Sequence, residues 1–212
     1  MNGFHLPRGR VTDALVAFAL FVALLLILPT GAAGWAGYFA FLPADILGGA
    51  LQETPVRAAL SPLVSQFLSV GVLGTALNLV FLLIVGRYLE KALGGAGMLA
   101  LFVAGAYGGA LARLLLTPGS LVPTIGCESA ILAMIGGYLM LYGLPRAVPV
   151  MPGRPRLHQI AAVAAIWTAF QLPFVLLSGA GALSVGLVEP LGGLIAGVAL
   201  ARPLLLWRYR KA

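Results

Sequence analysis

Residues 66–90 read QFLSVGVLGTALNLVFLLIVGRYLE, and this stretch decides the class of the fold. It contains no charged side chain before Arg87, and a helix needs about 20 consecutive apolar residues to cross a bilayer. Similar runs recur along the chain of 212 residues, which is 61% hydrophobic and 9% charged, with a mean hydropathy of +1.04. A soluble core of this size does not need so much apolar surface. The sequence therefore predicts an all-α polytopic membrane protein with no room for a soluble domain.

The apolar runs and the polar residues between them predict six membrane-spanning helices in one domain, residues 1–212. The predicted spans are 13–30, 66–90, 96–116, 127–144, 158–178 and 182–206. If the amino terminus is cytoplasmic, all basic residues except Arg57 and Arg113 lie in inner loops or at the inner ends of the spans. The positive-inside rule therefore predicts that both termini are cytoplasmic. We expect an integral, multi-pass protein of a bacterial inner membrane.

The charge and cysteine content narrow the expected partners. A net charge of +7 would suggest nucleic acid in a soluble protein, but here the basic residues lie between apolar runs. We therefore expect contact with the lipid bilayer and no nucleic acid. The single cysteine, Cys127, excludes an intrachain disulfide and a cysteine metal cluster, and we expect no cofactor and no metal. The apolar outer connection 31–65 is predicted to form short amphipathic pieces in the membrane interface, broken at Pro43 and Pro55.

Glycine is frequent in the later spans. Small residues three or four positions apart let helix backbones approach closely within the bilayer, where lipid gives helices no hydrophobic reason to associate. The glycine pattern therefore predicts a bundle packed within one chain. Gly193 and Gly197 also fit a homodimer face, which is the alternative for that pair.

Acidic side chains in or beside the spans are candidate functional groups, because a charged residue inside the bilayer costs at least about 2.5 kcal/mol. Glu90 ends the second span beside Arg87 and Lys91 and is predicted to form a structural ion pair. Glu128 and Glu189 lie at the outer ends of helices, where the helix dipole stabilises a carboxylate in the first turn. Two interpretations stay open for them, helix-capping acids near the surface or members of a functional site.

Two further polar residue types bear on catalysis. Asn78 lies midway along the second span, where a buried amide usually bonds to a neighbouring helix. The two histidines, His5 and His158, are both predicted on the inner side. We therefore expect no histidine base beside a nucleophile at the outer face.

Three segments resemble the rhomboid intramembrane proteases. Residues 86–94, GRYLEKALG, resemble the end of that family's second helix. Asn78, twelve positions before Glu90, matches the Asn of the family's His-x-x-x-Asn motif. Residues 126–131, GCESAI, resemble Gly-x-Ser-Gly-Ala-Ile, and residues 190–197, PLGGLIAG, resemble His-x-x-Gly-x-x-x-Gly. The resemblance runs from the second span to the sixth and implies a six-helix rhomboid bundle.

The departures from the family pattern fall on the chemistry that the resemblance implies. Rhomboids cut peptide bonds with a serine at the start of the fourth helix and a histidine base on the sixth, while a histidine and an asparagine of the second helix hold the oxyanion. Glu128 stands at the serine's position, Pro190 at the base's and Gly74 at the second-helix histidine's. Only Asn78 is retained. A proline cannot accept a proton, and an ionised glutamate repels a developing oxyanion.

These departures favour a catalytically degenerate rhomboid, a pseudoprotease that binds, chaperones or regulates membrane clients without cleaving them. Its expected protein partners are the transmembrane segments of other membrane proteins. The alternative is an active intramembrane protease with Ser129 as nucleophile and Glu189 as base. That pairing requires a register shift in both helices, because one residue turns a helix by about 100°. A third interpretation makes Glu128 and Glu189 a pair of cavity acids that bind a cation, a proton or a partner's basic residue.

Overall fold

The computed structural model describes residues 6–27, 32–68, 71–143, 153–178 and 184–210. Within these ranges the chain is helical and has no β-strand, and one isolated bridge joins Phe41 to Thr124. Two helices are long and apolar enough to cross a membrane by length and composition, Val72–Leu116 and Gly186–Tyr209. Glu128–Tyr142 is a shorter apolar helix. The predicted all-α class is confirmed.

Seven helices of eight residues or more make up most of the described chain. They are α1 (Arg10–Ile27), α2 (Ala32–Phe39), α3 (Pro55–Val64), α4 (Val72–Leu116), α5 (Glu128–Tyr142), α6 (Arg156–Ser178) and α7 (Glu189–Tyr209).

Helix α4 consists of two limbs, residues 72–93 and 95–116, which meet at Gly94. The φ of Gly94 is 76°, a left-handed conformation that glycine adopts without steric cost. Gly86 of the first limb and Leu101 of the second contact neighbouring positions of α5, Met134 and Gly137 respectively. The chain therefore reverses at Gly94, and both limbs lie against α5, as the separate spans 66–90 and 96–116 predict.

One predicted boundary is wrong by more than a turn. The second span begins at Val72 and not at residue 66, because Ser65–Phe67 form a 3₁₀ turn and Gly71 has a φ of 92°. The last helix is described from a π-helical turn at Ser184–Val188, which leads directly into Glu189–Tyr209. The predicted start of this span at 182 lies outside the described residues. The predicted ends at residues 30 and 144 lie outside the described residues.

Helix α5 is the centre of the bundle. It packs against both limbs of α4 and against α7, and its residues Ala130, Ala133 and Met134 are fully buried. A Cβ atom placed on Gly193 would lie 2.1 Å from the carbonyl oxygen of Ser129, and one on Gly197 would lie 1.9 Å from that of Ala133. The backbones of α5 and α7 are therefore in direct contact.

The predicted glycine packing within one chain is confirmed. Gly105 and Gly109 on the second limb of α4 face α5 and α7, and Gly192 on α7 faces Gly108. The homodimer alternative for Gly193 and Gly197 is wrong, because α5 covers that face of α7.

The segment before α4 is a run of short helices, as predicted. Helical turns begin at Pro43 and at Pro55, where proline's fixed φ suits the first helical position. The segment is tied to the loop that leads into α5, because Phe41 accepts a backbone hydrogen bond from Thr124 at 2.8 Å and Ser65 accepts one from Gly126 at 3.1 Å. These bonds position the start of α5 against residues 61–67.

The end of the first limb nearest Gly94 holds the start of α1. The carboxylate of Glu90 accepts hydrogen bonds from the backbone N–H groups of Val11 and Thr12, at 3.1 and 2.8 Å, and from the Thr12 hydroxyl at 2.7 Å. Arg87 pairs instead with Asp13, at 2.8 Å. The predicted ion pair of Glu90 is wrong, because the first backbone N–H groups of a helix lack internal partners and bind the carboxylate.

We expect Gly197→Ala to destabilise the bundle, because its methyl group would overlap the Ala133 carbonyl. Overpacking of this kind typically costs about 1–3 kcal/mol. Unfolding by heat or SDS in micelles measures the loss. The matched control is Gly37→Ala on α2, where no atom lies within 4 Å of the added methyl. Equal stability of both variants would contradict the direct α5–α7 contact.

Candidate functional site

The predicted site residues gather at one end of the bundle, where the central helices α5 and α7 begin. Glu128 is the first residue of α5, and Glu189 and Pro190 are the first two of α7, with the proline in the first turn. Gly74 and Asn78 lie on the first limb of α4. Gly74, Asn78 and Glu128 line one cavity of about 80 Å³, and Glu128, Glu189 and Pro190 line a second of about 50 Å³. The positions that the family pattern assigns to catalysis therefore adjoin one another.

Glu189 is buried within the protein. It is 4% exposed, and its Oε2 accepts a hydrogen bond from the Thr124 hydroxyl at 2.6 Å and lies 3.7 Å from Nη1 of Arg113. For Glu189, the interpretation as a helix-capping acid near the surface is wrong. A carboxylate taken out of water requires such partners, because burial of an isolated charge is costly.

Arg113 connects this carboxylate to the loop between α4 and α5. Its side chain is fully buried, and its guanidinium donates to the Thr124 hydroxyl, to Ser120 Oγ at 3.0 Å and to the Val122 carbonyl at 2.6 Å. The guanidinium also lies 5.9 Å from the centre of the Phe41 ring, within cation–π range. Arg113 thus joins α4, the loop and α7 in one polar network.

Ser129 faces the same network and not the cavity beside Glu128. It is fully buried, and its hydroxyl donates to Gln66 Oε1 at 3.0 Å and lies 3.4 Å from Glu189 Oε1. The backbone N–H of Ala130 donates to the same Gln66 oxygen at 3.3 Å. Ser129 and Glu189 meet without any register shift, because both side chains point into the interface between α5 and α7.

Glu128 points the other way, into a groove between the first limb of α4, α5 and α6. The groove has a volume of about 600 Å³. Its polar lining side chains are Asn78, Glu128, Gln171 and Trp167, whose buried indole N–H has no hydrogen-bond partner within the described residues. The other side chains are apolar: Leu77, Phe81, Ile131, Leu132, Ile135, Val163, Ile166 and Phe170. Glu128 is half-buried and accepts a hydrogen bond from Gln171 Nε2 at 3.5 Å.

Each of the two acids has its own partners. Glu189 binds Arg113 and Thr124, whereas Glu128 binds Gln171. Within the described residues there is no group of three His, Cys, Asp or Glu side chains that could hold a metal ion. The two carboxylates border the same 50 Å³ cavity, so a small ligand in that cavity would lie next to both.

The network contains residues that were not among the predicted site residues, and Gln66, Arg113 and Thr124 are the ones that contact the predicted residues or join them. Arg113 had a signal in the sequence, because it is a basic residue inside a predicted span on the outer side, where an acid is the expected partner. Gln66 and Thr124 had none, because uncharged polar residues at helix ends are common and carry no partner information.

The comparison with known families decides the identity of the bundle. A family model described as Rhomboid domain matches residues 58–207, which include α4 to α6, most of α7 and every residue of the polar network. The chain belongs to the rhomboid family. It is therefore an integral membrane protein, and the resemblance seen in the sequence motifs is confirmed. No curated protein matches the sequence significantly.

In this rhomboid the buried pair of Arg113 and Glu189 gives a direct test of the network. We expect Arg113→Gln to lower the free energy of unfolding by an amount on the order of 3 kcal/mol, because it leaves a buried carboxylate without its cation. Adding Glu189→Gln should restore part of that loss, because the remaining group is then neutral.

A double-mutant cycle by SDS or thermal unfolding in micelles measures this coupling. The surface pair Arg87 and Asp13 is the control, because exposed pairs contribute about 0–1 kcal/mol. Additive effects of the two buried substitutions would contradict the pairing.

Proposed function

We propose that this rhomboid is a pseudoprotease that binds transmembrane segments of client proteins in the groove beside Glu128 and does not cleave them. The proposal rests on the opposite directions of two neighbouring side chains at the start of α5. The residue that faces the groove is a glutamate, and the neighbouring hydroxyl of Ser129 is fully buried and hydrogen-bonded on the opposite side.

The absence of a suitable base supports the same conclusion. Pro190 occupies the position where the family places its histidine, and proline has no group that accepts a proton. His158 is exposed in the first turn of α6, about 20 Å along that helix from Gln171 at 1.5 Å per residue. His5 lies outside the described residues and is predicted on the inner side.

Stabilisation of an oxyanion is also impaired. A backbone N–H can hold a developing oxyanion only if it is free to point at it. The N–H of Ala130 already donates to Gln66 Oε1, and the carboxylate of Glu128 introduces negative charge beside Asn78. A tetrahedral intermediate would meet repulsion where an active rhomboid provides donors.

The groove has the composition that a membrane client requires. Its lining is almost entirely apolar, and Leu77 and Phe170 on its two walls are 51% and 66% exposed. An apolar helix can lie against such a surface, since packing rather than water exclusion drives helix association in lipid. Client binding therefore needs only the scaffold, and the scaffold is intact.

The second candidate function is proteolysis with Ser129 as nucleophile and Glu189 as base. One observation favours it, the 3.4 Å separation of the Ser129 hydroxyl from Glu189 Oε1. Two others oppose it, because Ser129 is fully buried and Glu189 is already paired with Arg113. A substrate carbonyl would have to displace Gln66 before it could approach the hydroxyl.

We further propose that the chain crosses the bilayer six times, with both termini in the cytoplasm and in a bacterial inner membrane. Five helical segments of 18 residues or more support this count, namely α1, the two limbs of α4, α6 and α7, and the shorter apolar helix α5 supplies the sixth. The distribution of basic residues supports the orientation.

In a Cys127→Ala background, we expect a cysteine at Leu121 to react with an impermeant maleimide added outside spheroplasts. A cysteine at Arg154 should react only after the membrane is permeabilised. Both positions are solvent-exposed, so access depends on the side of the membrane. Labelling of both cysteines from the same side would contradict the six-span topology.

The purified protein in liposomes should neither cleave a panel of transmembrane substrates nor react with a fluorophosphonate probe. An active rhomboid protease in the same liposomes is the positive control. If turnover is detected, Ser129→Ala decides between the two candidates, because lost turnover supports the Ser129 mechanism and overturns the pseudoprotease proposal.

Client binding has a separate readout. A photocrosslinking amino acid at Phe81, on the groove wall, should capture membrane proteins in native membranes, whereas one at Leu115, which is 71% exposed on the other limb of α4, should not capture the same proteins. Identical capture at both positions would mean that the groove has no selective role.

A further inference from the structure

Glu128 has no cation within the described part of the chain. Glu189 pairs with Arg113, whereas Glu128 contacts only the amide of Gln171, at 3.5 Å. None of the Lys, Arg or His side chains of the described residues forms an ion pair with it. A carboxylate among apolar side chains is costly unless an opposite charge or strong donors compensate it.

The protein has no outer cation left to provide that compensation. In the proposed topology the outer basic residues are Arg57 and Arg113. Arg57 pairs with Asp45 and donates to the Tyr38 carbonyl, and Arg113 is held in the buried network. A positive charge at Glu128 must therefore come from another molecule.

The carboxylate and the two amide groups of the groove lie toward its outer end. Asn78, Glu128 and Gln171 line this end, whereas Ile135 and Val163 mark an apolar inner part. Ile135 lies about 10 Å deeper than Glu128 along α5, at 1.5 Å per residue. An occupant that matches this surface is apolar over most of its length and carries one cation near its outer end.

The three polar side chains suit an ammonium or a guanidinium. The carboxylate of Glu128 can form charge-assisted hydrogen bonds, which are stronger than neutral ones and strengthen further away from bulk water. The amide oxygens of Asn78 and Gln171 can accept the remaining N–H groups. None of these groups favours a neutral side chain to the same degree.

We propose that the groove selects client transmembrane segments that carry one Arg or Lys in their outer third, and that Glu128 binds this cation. The inference rests on the proposed client-binding function and adds the chemistry of the client. It gives the glutamate at the former nucleophile position a role in recognition.

The test uses the full-length protein in phosphatidylcholine nanodiscs. The probes are three synthetic apolar membrane-spanning helices that differ only in one residue of the outer third, which is Arg, Gln or Glu. Energy transfer between labels on the protein and the peptide measures the affinity. We expect the Arg peptide to bind about tenfold more tightly than the Gln peptide.

Variants of Glu128 assign the preference to this residue. Glu128→Gln should bind the Arg and Gln peptides equally, and Glu128→Lys should prefer the Glu peptide. Glu53→Gln is the matched control, because Glu53 is an exposed acid of the outer segment and its loss should leave the preference unchanged. Thermal unfolding of each variant verifies that the fold is retained, and the reversed preference of Glu128→Lys cannot result from misfolding.

Equal binding of the Arg and Gln peptides by the unmodified protein would overturn the inference and leave client binding intact. Failure of every peptide to bind, together with the absence of groove-specific crosslinks, would overturn the proposed function as well. An Arg preference that survives in Glu128→Gln would place the cation elsewhere. If the Arg preference disappears when phosphatidylethanolamine is added, the ammonium of the lipid headgroup binds Glu128. That result would also overturn the inference.

Discussion

The structure depends on the direct backbone contact between α5 and α7. Gly193 and Gly197 leave no space for a side chain between the two helices, and the carbonyl groups of Ser129 and Ala133 fill the positions where Cβ atoms would lie. Because the helices touch along this line, the first residues of both are held at a fixed separation. The side chains of Ser129 and Glu189 meet for this reason, and Glu128, one residue earlier, is directed into the groove.

The polar network at the outer end forms around that contact. An active rhomboid places its proton-transfer groups here, and in this chain a buried ion pair of Arg113 and Glu189 occupies the region. Thr124 donates a hydrogen bond to Glu189 and Ser120 accepts one from Arg113, and these bonds link the pair to the loop that precedes α5. A buried pair of this kind is rigid, because removal of either partner leaves an uncompensated charge. The network therefore favours a fixed scaffold over a site that exchanges protons with a substrate.

The sequence predicted the elements that depend on local composition. Apolar runs located the helices, glycine spacing predicted which helix faces pack together, and three short motifs identified the family. It did not predict partners that are distant in the chain. Glu90 binds backbone groups 78 residues away at Thr12, and the start of α4 moved to Val72 because Gln66 turns back toward Ser129. Such contacts depend on which helix ends lie next to each other in the folded bundle, and no local sequence pattern predicts them.

The position of Gln66 has a consequence for any attempt to install the family's catalytic pair in this chain. Its amide oxygen binds both the Ser129 hydroxyl and the N–H of Ala130, so neither group is free to contact a substrate. A serine placed at 128 and a histidine placed at 190 would still have these bonded groups and the Arg113–Glu189 pair beside them. Freeing the region would require coordinated changes in three segments of the chain, and each single change would break buried hydrogen bonds.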